Sequence, residues 1–78
     1  MSPPCVLCLS GHDPTGGAGL TADIEAIGAL GGHALGVITA NTVQDTSNVQ
    51  RVAAVPPILM AAQIEALVAD CRIGAIKI

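Results

Sequence analysis

No Phe, Tyr or Trp occurs in the chain, and only 12% of its 78 residues are charged. The 51% hydrophobic content is therefore carried by aliphatic and sulfur-bearing side chains. A domain of this size buries only about 60% of its unfolded surface, so that much apolar content exceeds what so small a surface can hide. The chain reads as part of a larger domain. Its last residues, Ala75-Ile76-Lys77-Ile78, read as a strand followed by no turn or polar tail.

Basic residues are the next shortage. Arg51, Arg72 and Lys77 stand against six acidic residues, a net charge of −3. A nucleic-acid surface needs clustered Lys and Arg, so no nucleic-acid partner is expected. A basic amphipathic helix is missing too, so no membrane partner is expected. The apolar run near the N-terminus is too short for a secretory signal and has no Lys or Arg before it, which makes the cytoplasm the expected location. Three cysteines, an odd number, do not make a disulfide framework. Cys5 and Cys8 have the C-x-x-C spacing of redox and metal motifs, but on a strand positions i and i+3 face opposite ways. Buried thiols are expected there, and Cys71 is expected to pack near the end of the second helix.

What the chain does have is a dense loop. Ser10-Gly-His-Asp-Pro-Thr-Gly-Gly-Ala-Gly-Leu-Thr-Ala-Asp-Ile-Glu25 places four of the nine glycines at positions 11 to 19. It follows the apolar run Cys5–Leu9 and leads into helical periodicity at Leu20, Ile24, Ile27 and Leu30. A strand, a loop over Ser10–Ala18 and a helix are predicted, with Asp23 and Glu25 near the positive end of the helix dipole and Gly31-Gly32 as its stop. Glycine lets a backbone approach a ligand closely, and N–H groups at a helix start attract negative charge. The loop is richer than a chain reversal needs, which favours binding.

Leu35–Ala40 reads as a second strand, followed by a polar loop from Asn41 to Asn48. If the two strands are parallel, both loops leave the same sheet edge, where open α/β sheets bind ligands. Val49–Val55 suits either a short third strand or an extended connection. Pro56-Pro57 opens a second helix, with a broad buried stripe of Ile58, Leu59, Ala61, Ala62, Ala66, Leu67 and Val68 and with Gln63, Glu65 and Asp70 toward solvent. Gly74 separates that helix from the final strand. The progression is βαβ(β)αβ, an α/β fold with a mainly parallel sheet.

Two general phosphate motifs fit poorly. Gly11-x-x-x-x-Gly16 begins like a P-loop, but Gly17 and Ala18 stand where Lys and Ser/Thr must contact phosphate and magnesium. Gly17-x-Gly19-x-x-Ala22 matches the dinucleotide pattern, yet seven residues separate it from the strand and the acidic residue expected about 20 positions later is missing. A dinucleotide-binding fragment is the weaker alternative, beside a non-catalytic α/β binding or interaction module.

Read together, the Gly11–Asp23 segment, Ala29-Leu-Gly-Gly-His33 and Val37-Ile-Thr-Ala-Asn-Thr-Val-Gln-Asp-Thr46 resemble the amino-terminal part of hydroxymethylpyrimidine/phosphomethylpyrimidine kinase of thiamine biosynthesis, in the ribokinase superfamily. The resemblance covers essentially all 78 residues as one N-terminal part of a single kinase domain, an incomplete ribokinase-like three-layer sandwich. It implies transfer of the γ-phosphoryl group of ATP, with Mg²⁺, to 4-amino-5-hydroxymethyl-2-methylpyrimidine and then to its monophosphate. It implies that Gln44 hydrogen-bonds the pyrimidine, since an amide offers both donor and acceptor. Gly11, Ala18 and Asp23 match positions lining or supporting the same pocket; for Asp23 a helix-start acid bonding nearby amides is the equal alternative. His12 is read as a loop side chain, His33 as a surface or capping group, and Asp13 as the acceptor of an Asx-type turn. No catalytic residue or metal ligand is assigned in this segment; the ATP site, Mg²⁺ site and catalytic residue are expected in the missing carboxyl-terminal part. A homodimer is expected of the full-length chain, and this segment is expected to be inactive alone.

Overall fold

A computed structural model describes residues 4–78, so the expected lead-in over residues 1–3 lies outside the described residues. The elements run β1 (Cys5–His12), α1 (Gly19–Ala29), β2 (His33–Gln44), β3 (Val49–Ala54), α2 (Pro57–Asp70) and β4 (Ile73–Lys77). They build one four-stranded sheet in the order β3-β2-β1-β4. β1 pairs in parallel with both β2 and β4, whereas β3 returns antiparallel on β2 as a hairpin. This is the mixed α/β architecture expected.

Alternation along β1 and β2 sorts the two layers of helices. Cys5, Leu7, Leu35 and Val37 are buried together, and Met60, Ile64 and Leu67 of α2 pack on them with Leu9, Cys71 and Ile73. The alternate positions meet α1: the Leu20 side chain lies against Gly36, so closely that a Cβ there would be 2.6 Å from it. Cys5 and Cys8 thus do face opposite layers, and none of the three cysteines forms a disulfide.

Several boundaries move. β1 runs on to His12 and β2 runs from His33 to Gln44, so Ser10–His12 and the polar Asn41–Gln44 are strand rather than loop. The reason is β3: its antiparallel ladder supplies partners from Ala40↔Ala54 through Gln44↔Val49, and a polar strand is stable once its backbone is paired. Of Val49–Val55, residues Val49–Ala54 are thereby settled as a strand. Gly74 lies inside β4, not before it, and is skipped in the pairing between Cys5↔Ile73 and Val6↔Ala75, a bulge next to the Cys5 carbonyl.

The helices also differ from their patterns. α1 turns Leu20, Asp23 and Ile27 inward, leaving Ile24 48% and Leu30 90% exposed. It stops as expected: Gly31, at φ +85°, lets the Gly32 amide donate to the Ile27 carbonyl at 2.9 Å and its own amide to Gly28 at 3.1 Å. α2 starts at Pro57, but its packed face is Met60, Ile64 and Leu67 rather than the broad stripe expected. Ile58, Leu59 and Val68 lie exposed, because these elements alone cover only one side of the helix.

Candidate functional site

The glycine loop is bound back onto the strand it leaves. Asp13 Oδ1 accepts from the Thr15 amide and hydroxyl, both at 2.8 Å, and the Asp13 carbonyl accepts from the Gly16 amide at 3.1 Å. This is the Asx turn expected, and the Thr15 hydroxyl and amide hold the Asp13 carboxyl below its ordinary range. Beyond it Gly19, at φ +65°, lies so close to Gly11 that a Cβ would collide with the Gly11 carbonyl oxygen. Only glycine fits at this crossing.

The end of β2 lies beside this loop. His12 is level with Asn41 in the parallel pair, and the Thr42 hydroxyl donates to the His12 carbonyl at 2.7 Å. Gln44 Nε2 in turn donates to Thr42 Oγ1 at 2.5 Å. The carboxyl ends of β1 and β2 are therefore tied through Thr42, with Gly11 and Gln44 on the same sheet edge. Ala18, exposed, immediately precedes α1 at this edge. On the turn after Gln44, Asp45 Oδ1 accepts from the Ser47 and Asn48 amides at 2.8 and 2.9 Å, which lower its pKa.

Asp23 is placed differently. It is the fifth residue of α1, past the first turn, and the first turn holds no acid; the helix-start role is corrected. Its residue is only 8% exposed. Oδ1 pairs with Lys77 Nζ of β4 at 2.8 Å and Oδ2 accepts from the Ser10 hydroxyl of β1 at 2.5 Å. Lys77 first, then Ser10, hold the carboxyl below its ordinary range against the opposing effect of burial. The same pair raises Lys77, while burial, then the Asp23 charge, pushes the Cys8 thiol up. Asp23 is a strut behind the loop rather than a group on the edge.

Ser10, Thr42 and Lys77 escaped the sequence reading. Thr42 and Gln44 share a face by period-two spacing, which the loop assignment hid. Lys77 is the chain's single lysine, on an otherwise apolar strand, and that oddity was the available signal.

A separate groove of about 290 Å³ runs between β2 and α2, lined by Gly36, Val37, Ile38, Asn41, Val55, Leu59, Met60 and Gln63. It includes none of Gly11, Ala18, Asp23 or Gln44. The polar convergence at the carboxyl edge, not this mainly aliphatic groove, is the better candidate for recognising a polar heterocycle. Among the described residues no three His, Cys, Asp or Glu side chains gather into a metal-sized group, and no helix is long and apolar enough to cross a membrane.

Comparison with known proteins agrees with this architecture. The chain is 46% identical over 77 residues to the hydroxymethylpyrimidine/phosphomethylpyrimidine kinase of Mycobacterium bovis, covering 99% of this chain and 28% of that one. It therefore spans little more than a quarter of that relative's length. The crystal structure of phosphomethylpyrimidine kinase from Clostridium difficile superposes with a TM-score of 0.88 at 36% identity, over 94% of this chain and 32% of the other. The pyridoxal kinase of Staphylococcus aureus in complex with AMP-PCP and pyridoxal superposes at 0.73 with 26% identity, over 83% and 25%. The profile of the phosphomethylpyrimidine kinase family matches residues 13–78, and the chain belongs to that family.

Proposed function

We propose that this chain is the substrate-side part of an ATP-dependent kinase that phosphorylates 4-amino-5-hydroxymethyl-2-methylpyrimidine and then its monophosphate. The observation that carries the reading is the Gly11–His12–Thr42–Gln44 arrangement at one sheet edge. Thr42 holds one N–H of the Gln44 amide, leaving its carbonyl oxygen and second N–H to meet a ring nitrogen and its neighbouring amino group. Gly11 and Ala18, with little or no side chain, leave room for the ring to lie close to the backbone. Asp23 supports the pocket from behind, by holding α1 against β1 and β4.

Three of the six acids are already engaged, Asp13 and Asp45 by their own turns and Asp23 by Lys77. In this reading ATP, its Mg²⁺ and the catalytic residue are held by the remainder of a full-length kinase; that the staphylococcal relative was solved with AMP-PCP supports the use of ATP. Phosphoryl transfer needs all these parts positioned together, so the 78 residues alone are inactive. The full-length enzyme acts in the cytoplasm as a homodimer.

The test is ATP-dependent phosphorylation of the hydroxymethylpyrimidine by the full-length chain; a folded, intact protein without that activity refutes the proposal. In the same enzyme Gln44→Ala raises the pyrimidine KM roughly 2- to 10-fold, the loss of about 0.5–1.5 kcal/mol of hydrogen bonding. An unchanged KM returns Gln44 to a solvated polar residue.

A further inference from the structure

We propose that Lys77 is a positioning residue for the pyrimidine pocket, acting through Asp23 and Ser10, an inference that rests on the functional reading above. Both oxygens of one buried carboxylate are taken by groups from two strands: Lys77 Nζ of β4 at 2.8 Å and Ser10 Oγ of β1 at 2.5 Å. The carboxylate itself rides on α1, whose first residue, Gly19, lies against the Gly11 carbonyl. Ser10 is the residue before Gly11, so the triad fixes both sides of the Gly11–Gly19 crossing. Lys77 is level with Cys8 in the β1–β4 pair, two residues from Ser10 on the same face of β1. The side chain of Lys77 is 55% exposed while that of Asp23 is 11% exposed, so of the two charges the carboxylate is the one withheld from water.

Removing the ammonium leaves the buried Asp23 with the Ser10 hydroxyl but no cation, and α1 shifts or tilts to hydrate it. The glycine loop moves with α1, and the heterocycle loses its fit. A displacement of about 1 Å can cost up to roughly 100-fold, so Lys77→Met in the full-length kinase raises the pyrimidine KM by about tenfold or more. The KM for ATP stays unchanged. Lys77→Arg, which can still pair with the carboxylate, restores most of the affinity. Because the two side chains act as one unit, adding Asp23→Asn to Lys77→Met brings no further loss of the multiplied size that independent sites would show.

Hydrogen exchange of the amides at residues 11–19 provides a readout independent of catalysis. Faster exchange in Lys77→Met than in wild type, reversed in Lys77→Arg, supports the placing of the glycine loop by Lys77 independently of what the substrate is. An active wild type with an unchanged pyrimidine KM in Lys77→Met overturns it, as does an equal rise in both KM values or unchanged exchange at 11–19. An inactive, folded wild type refutes the functional reading instead, and the exchange result then decides on Lys77. Should Lys77→Met fail to fold, Lys77→Arg and the neutral double variant carry the same measurements.

Discussion

The two faces of the sheet are held by different chemistry. Toward α2 the contact is an apolar cluster, in which Leu7, Leu35 and Val37 are at most 9% exposed and Met60, Ile64 and Leu67 pack against them. Toward α1 the contact mixes a close glycine–leucine approach at Gly36 and Leu20 with a polar triad, Ser10–Asp23–Lys77, centred on a buried carboxylate. Apolar burial is non-directional and tolerates sliding, whereas a carboxylate with a donor on each oxygen has one good geometry. The face that carries the Gly11–Gly19 crossing is the one with directional contacts.

That contrast can be broken by substitution, with the largest effect expected on the apolar face. Leu7→Ala, at 3% exposure, lowers stability by about 2–5 kcal/mol in denaturant unfolding of the full-length chain, with no dependence on pH in the acid range. Gly19→Ala comes next, at about 1–3 kcal/mol for holding alanine at φ +65°, and it displaces the loop because its Cβ meets the Gly11 carbonyl. An unfolding midpoint equal to wild type would mean that the crossing at Gly11 is loose.

The smallest expected effect is the most diagnostic. Ser10→Ala removes one hydrogen bond to a carboxylate, about 1.5 kcal/mol near neutral pH. The folded state holds Asp23 below its ordinary value of 3.8, so the triad's contribution is full above that value and is lost as pH falls through the folded pKa. The wild-type to Ser10→Ala difference therefore narrows below pH 3.8, while the Leu7→Ala difference does not. Parallel curves for the two variants would show that the faces are not distinct in this way.

Much of the fold was legible because local signals agreed: the apolar Cys5–Leu9 run, the glycines that end α1, and the Pro57 start of α2 are all read from neighbours in sequence. The errors share a cause. Asn41–Gln44 looks like a loop until β3 pairs with it, and Asp23 looks like a helix-start acid until Ser10 and Lys77, 13 and 54 residues away, are found against it. In each case the deciding partner is remote, and composition says nothing about it.

Of the candidate site, Gly11 and Gln44 were expected to share an edge, and they do, through the parallel pairing of β1 with β2. The role of Thr42 in orienting Gln44 was not readable, since it depends on which residues of two strands are level.

The apolar run of β1, the Asx turn at Asp13, the glycine stop of α1 and the proline start of α2 were set by the chain alone, because each rests on interactions a few residues long. Which faces are buried, where the strands end and what neutralises Asp23 were decided only on folding. Those outcomes depend on remote segments becoming neighbours, and a buried charge or an unpaired strand can be stabilised only by whatever tertiary contact brings to it.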